Sequence, residues 1–103
     1  MDDQKPYLDS ELSLAQLAEL MNFTPHQLSY LINAAFEESF FWFVNRYRVQ
    51  KVKELLLDKE NEHLTILGIA FESGFNSKTS FNTTFKKISG QTPSEFKKNG
   101  AAL

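Results

Sequence analysis

The chain has 103 residues, a net charge of −2, 42% hydrophobic and 14% aromatic residues, and no cysteine. That length and apolar content fit one or two small cores rather than a tail, and ten phenylalanines supply much of the burial. Without cysteine there are no disulfides or thiolate zinc sites, and a reducing cytoplasm is the compatible compartment. No apolar run approaches the roughly 20 residues needed to span a bilayer, and residues 1–5 are polar and acidic rather than signal-like, so a soluble protein is expected.

Residues 1–12 read as a mobile lead-in with a short helical turn around residues 8–12. A first helix-turn-helix follows over residues 13–39. Ser13 with Gln16 forms a capping-box pattern, and Leu14, Leu17, Ala18 and Met21 recur at helical spacing. Asn22 is a turn residue able to take the left-handed conformation. Thr24, Pro25 and Gln27 then give a Thr N-cap, a Pro at the first helical position and Gln at the third. Phe23 and Leu28 are placed to act as a hydrophobic staple. Leu28, Leu31 and Ile32 should face inward, which leaves His26, Gln27, Ser29, Tyr30 and Asn33 on a polar face without Lys or Arg.

Residues 40–58 carry the longest helical pattern, with Phe40, Phe43, Val44, Tyr47, Val52, Leu55 and Leu56 as the expected buried set. Such a helix is roughly 28 Å long, close to the roughly 34 Å between successive major grooves on one face of DNA, and would serve as a spacer. A charged loop covers residues 59–64. A second helix-turn-helix with a closing short helix spans 65–98, before a tail at 99–103. Here Ile66, Ile69, Ala70 and Phe71 should pack, Gly74 should turn the chain, and a helix from about Lys78 to Ile88 should bury Phe81 and Phe85. Thr92 and Glu95 form another capping box around Pro93, with Phe96 anchoring the final helix. No β alternation occurs, so the fold class is all-α.

The two units are copies. A shift of 52 positions superimposes Ser13 on Thr65, Leu17 on Ile69, Ala18 on Ala70, Asn22 on Gly74 and Phe23 on Phe75. After one inserted turn residue the shift of 53 sets Thr24 on Ser77, Leu28 on Phe81 and Ile32 on Phe85. Each copy thus has an alanine where a second helix crosses closely, then a left-handed turn residue, a Phe and a fresh cap. This tight crossing is how a recognition helix is held out toward a major groove.

Charge is divided unevenly. Residues 1–39 hold seven acids and one base, residues 40–63 four acids and five bases, and residues 64–103 two acids and five bases. The second copy is the basic one, as phosphate neutralisation requires of the anchoring half.

Ile69-Ala70, Gly74-Phe75-Asn76-Ser77, Phe81, Phe85-Lys86-Lys87, Gly90, Thr92-Pro93 and Phe96, together with Asn45, Arg48-Val49, Val52 and Leu55-Leu56, resemble the DNA-binding domain of the AraC/XylS family of bacterial transcription regulators. The resemblance covers about residues 7–98. It implies a bilobal, homeodomain-like domain whose two helix-turn-helix units, joined by a long helix, enter adjacent major grooves of double-stranded DNA. The Asn-rich, Phe-rich wording further resembles versions from Bacteroidetes-type bacteria, in which the domain often ends a hybrid two-component sensor or a membrane-linked regulator. A sensing or receiver domain upstream in the full-length protein is therefore expected, and RNA polymerase is kept open as a further partner. Three positions depart from the family pattern: Glu37 where a glycine commonly follows the first recognition helix, Thr83 where Arg is frequent, and Trp42 where the linker helix is usually polar.

These readings nominate His26, Ser29 and Tyr30 in the first unit, and Lys78, Thr79, Asn82 and Thr83 in the second, as base-reading candidates. Lys pairs with guanine and Asn with adenine in the major groove. The backbone candidates are Gln27, Asn33, Arg46, Asn76, Ser77, Lys86 and Lys87. His26 is open between a solvated helix residue and a base contact. Lys86 and Lys87 are open between a solvated helix end and phosphate contact. Arg46 and Arg48 are open between DNA backbone and structural pairing with Glu54 or an acid of the first unit. Phe41 and Trp42 are open between packing and docking of another domain or subunit. No catalytic residue, metal site or cofactor is expected, because there is no nucleophile motif, paired acid and base, phosphate-cradling loop or ligand cluster. The competing expectation is a helical protein-interaction module with weak or no DNA binding, motivated by the acidic first unit, the missing cation at Thr83 and the aromatic pair at 41 and 42.

Overall fold

Helices start where a short polar side chain can accept from the free amides of a first turn. The computed structural model describes residues 5–36 and 39–101. Among these it forms α1 (Leu14–Leu20), α2 (Pro25–Phe36), α3 (Phe40–Leu57), α4 (Ile66–Glu72), α5 (Lys78–Ser89) and α6 (Pro93–Ala101), with 3-10 turns at Pro6–Leu8 and Lys59–Asn61 and no strand. Three starts are reciprocal boxes. Gln16 N–H donates to Ser13 Oγ at 3.1 Å while Ser13 N–H donates to Gln16 Oε1 at 2.9 Å. Thr24 with Gln27 and Thr92 with Glu95 repeat the arrangement with the same two distances. Thr65 and Ser77 cap α4 and α5 singly, accepting from Gly68 and Ser80.

Two cores result, and α3 passes through both. Phe43 and Val44 join Tyr7, Leu17, Ala18, Leu28 and Ile32 in the first. Farther along the same helix, Val49, Val52 and Leu56 join Ile69, Ala70, Phe75, Phe81 and Phe85 in the second. The second core is threaded by edge-to-face rings: Phe75 on Phe81, Phe81 on Phe85 and Phe85 on Phe96, with centroids 5.3, 5.9 and 5.8 Å apart. Such pairs add to area burial worth roughly 1.5–3 kcal/mol per buried side chain. The molecule measures 44 × 24 × 23 Å, elongated as two lobes on one helix require.

Several expectations are corrected. The lead-in holds a 3-10 turn at Pro6–Leu8 ahead of the expected turn, which is closed by Leu12 N–H donating to Asp9 O at 3.2 Å, and Tyr7 is buried in the first core. A mobile lead-in is thereby excluded for these residues, because Arg48 holds their carbonyls. Met21, Leu31 and Phe71, expected inward, are exposed, since helices of seven and twelve residues bury only a narrow stripe here. Phe23 also stays exposed, while Leu28 is buried. The charged loop contains the 3-10 turn Lys59–Asn61, capped by the Asp58 carboxylate accepting from Glu60 N–H. Asn45, Arg48 and Val49 are buried on α3 beyond the expected set.

Candidate nucleic-acid interface

The duplication seen in the sequence is reproduced bond for bond in the turns that aim the helices. At the end of α1, Phe23 N–H donates to Ala18 O at 2.8 Å and Asn22 N–H to Glu19 O at 3.2 Å. At the end of α4, 52 residues later, Phe75 N–H donates to Ala70 O at 3.1 Å and Gly74 N–H to Phe71 O at 3.2 Å. This 6→1 and 5→2 pair is the Schellman closure, and it needs a left-handed residue at the turn. Asn22 supplies it at φ 60 and Gly74 at φ 104. Ala18 and Ala70 are both 0% exposed, as expected of alanines at close helix crossings.

Each turn launches a twelve-residue helix, α2 or α5, whose outer face is open. On α2, His26, Gln27, Ser29, Tyr30 and Asn33 are all exposed, Tyr30 most of all at 69%. Phe23, His26, Gln27, Tyr30 and Leu31 together line a shallow depression on this face. The Gln27 carbonyl oxygen is already engaged by Thr24 N–H, which leaves its amide group as the free donor. On α5, Lys78, Thr79, Asn82, Thr83 and Lys86 are exposed together, while Phe81, Thr84 and Phe85 are buried behind them.

The remaining candidates separate. Ser77 Oγ is committed as the N-cap of α5. Asn76, exposed, borders a cleft of about 210 Å³ between the lobes that Asn45, Arg48 and Phe75 also line. Lys86 lies near Glu95, whose carboxyl is held below the ordinary glutamate range first by the Thr92 backbone N–H, then by the Thr92 hydroxyl, and weakly by the Lys86 charge. Lys87 turns the other way, and its Nζ sits 5.0 Å from the centre of the Trp42 ring. Trp42 is half-buried and makes an edge contact with the exposed Phe41 at 5.2 Å, so of that pair only Phe41 is a free surface aromatic. Arg46 is exposed on α3, beside a groove with Phe36, Phe43, Tyr47 and Gln50. Glu37, the departure expected after the first recognition helix, lies outside the described residues.

Arg48 takes the structural one of the two roles open to it, through backbone carbonyls rather than Glu54. It is buried and donates to the Tyr7 and Asp9 carbonyls and to Asn45 Oδ1. Burial draws the guanidinium below its ordinary pKa, and the Asp9 charge acts against that shift. Spacing along one helix carries no sign of partners about 40 residues earlier, so no sequence signal marked this role.

A family profile described as "Helix-turn-helix domain" matches residues 17–99. The C-terminal domain of AraT, a response regulator from Geobacillus stearothermophilus, superimposes with a TM-score of 0.78 at 34% identity, over 93% of this chain and 77% of that one. An AraC-type transcriptional regulator structure from Chromobacterium violaceum shares the fold with a TM-score of 0.80 at 21% identity, over 95% of this chain and 86% of that one. The chain belongs to the AraC-type helix-turn-helix family. Among full sequences, an uncharacterised HTH-type transcriptional regulator of Staphylococcus aureus (strain COL) is 31% identical over 97 residues, covering 94% of this chain and 13% of that protein. The chain therefore spans only a small part of the length of that relative. Within this AraC-type domain, α2 and α5 occupy the second-helix position of their units, where the family's recognition helices stand. Among the described residues no helix is long and apolar enough to cross a membrane, and no group of three or more His, Cys, Asp or Glu is placed to hold a metal ion.

Proposed function

We propose that this domain binds double-stranded DNA sequence-specifically to control transcription, with α2 and α5 entering adjacent major grooves. The observation that carries this reading is the repeated Schellman turn, which presents two helices of equal length with their polar faces open. A long axis of 44 Å accommodates two readers about one helical turn of DNA apart, roughly 34 Å. Base reading falls to Lys78, Thr79, Asn82 and Thr83 on α5 and to His26, Ser29 and Tyr30 on α2. Backbone contact falls to Lys86 and Arg46, with Gln27, Asn33, Asn76, Ser77 and Lys87 in support. The cation-poor α2 adds sequence preference, and the basic second lobe anchors. Likeness to a response-regulator C-terminal domain supports a receiver or sensing domain upstream in the full protein. A cytoplasmic location follows from this role, and contact with RNA polymerase would accompany activation.

Selection of bound sites from random duplex DNA tests the reading, followed by footprinting at rising salt. Protection should cover two successive major grooves, with the half facing α2 lost first. Equal salt sensitivity of both halves would overturn the division of labour. A second reading, a helical protein-interaction module, is favoured by the exposed Phe23, Tyr30 and Leu31 on a face without a cation. Failure to enrich any duplex would favour it.

A further inference from the structure

Both repeat turns close in the left-handed region, yet only one of them is glycine. Asn22 adopts φ 60 in the first turn, so the closure alone does not demand glycine. Gly74 is different because backbone lies against it. A Cβ there would run into the Tyr7 carbonyl oxygen and stand 2.9 Å from Arg48 Nε and 3.2 Å from Leu8 Cα. What sits on the second turn is the Pro6–Leu8 segment, and Arg48 holds it from α3. Its Nε donates to Tyr7 O at 2.7 Å and its Nη2 to Asp9 O at 2.8 Å, while Nη1 donates to Asn45 Oδ1 at 3.1 Å. The Tyr7 ring meanwhile belongs to the first core and stacks on Tyr47 at 5.6 Å. One residue thus has its ring in the first lobe and its carbonyl on the turn of the second.

With each lobe packed on α3, the freedom left between them is the bend and twist of that helix. A second attachment off the helix axis removes that freedom. Two readers prefer one spacing of half-sites only if their relative play stays below one base-pair step, roughly 3.4 Å along the DNA axis and about a tenth of a turn. We propose that Arg48 is a positioning residue for DNA reading: by clamping Tyr7–Asp9 between α3 and the Gly74 turn it fixes the relative placement of α2 and α5, and so the half-site spacing the domain selects. This rests on the reading of those two helices as recognition helices. A buried guanidinium with three charge-assisted bonds is suited to such a clamp, because opening it strands the charge.

The absence of native cysteine allows clean labelling. Spin labels at Glu19→Cys and Glu72→Cys, both exposed positions, report the distance between lobes without DNA. The otherwise unaltered protein should give one narrow distance and select one half-site spacing. Arg48→Lys lacks the planar fork that reaches both carbonyls. It should broaden the distance and spread the selected spacing by one base pair or more, with half-site sequences unchanged. Gly74→Ala, which pushes the Tyr7 carbonyl away from the other side, should do the same. In the protein without substitutions, the Arg48 Nε–H should resist hydrogen exchange. Exchange at the rate of a free guanidinium overturns the clamp without any variant. Narrow distance and single spacing in both variants, or a broadened distance with unchanged spacing, overturn the proposal. If the intact protein enriches no duplex, the DNA reading falls and the spacing role with it, while distance and exchange still judge the clamp.

Discussion

The Lys87 ammonium lies 5.0 Å from the centre of the Trp42 ring, joining the end of α5 to the start of α3. Neighbouring lysines on α5 therefore have different surroundings. Lys87→Ala should lower stability by about 0.5–1 kcal/mol, the range for a cation over an exposed aromatic face. It should also shift the emission of the single tryptophan, whose ring faces the Lys87 ammonium. Thermal melts and fluorescence check both. An unchanged emission maximum would show that the contact does not persist in solution.

Lys86 faces outward on α5, nearer the end of that helix than Lys78, Thr79 and Asn82. Lys86→Ala should weaken binding to all duplexes alike and reduce the salt slope by about one. Lys78→Ala, Thr79→Ala or Asn82→Ala should instead relax preference at particular base pairs, by roughly 1–3 kcal/mol where a bidentate contact is lost. Site selection with each variant separates the two effects. Altered site choice with Lys86→Ala, and none with the other three, would reverse the assignment.

Ala18 and Ala70 leave no room at their crossings, both being fully buried. Ala70→Leu should cost roughly 1–3 kcal/mol by overpacking, measured as a lowered denaturation midpoint. Ala18→Leu should behave similarly, though the more open first turn gives the added carbons more room to escape. Undiminished stability of Ala70→Leu would mean that the second crossing is looser than described.

The turn residues and caps are legible in the sequence because each acts on residues within five positions of itself, and the alanines because the helix that crosses them follows directly after the turn. The two Phe residues of the turns show where that reach ends. Phe23 and Phe75 occupy equivalent positions, yet Phe75 is 4% exposed and Phe23 36%. The difference comes from what other segments bring to each turn, which no local pattern encodes. For the same reason the sequence marked the polar faces of α2 and α5 but not the pinned lead-in or the role of Arg48, whose partners lie 39 and 41 residues away.

Glu95 offers a pH test. Its carboxylate accepts from the Thr92 backbone N–H and so titrates below the ordinary glutamate value of about 4.3. A carboxylate depressed on folding contributes stability that is present above the unfolded value and lost as pH falls through the folded one. Glu95→Gln keeps an acceptor at every pH. The stability difference between the native protein and this variant should therefore shrink across that acid window, followed by melts over pH. A constant difference would mean that Glu95 caps α6 without its charge.

The passage of α3 through both cores makes the lobes one folding unit despite their origin as repeats. Phe43 and Val44 serve the first core, and Val49, Val52 and Leu56 the second, on one unbroken helix. Unravelling either lobe strips apolar cover from a helix the other needs, so denaturant should produce a single cooperative transition rather than two. A domain unfolded in one lobe and intact in the other is then a scarce species. Damage in the sparsely charged lobe is felt in the basic one through the helix they share.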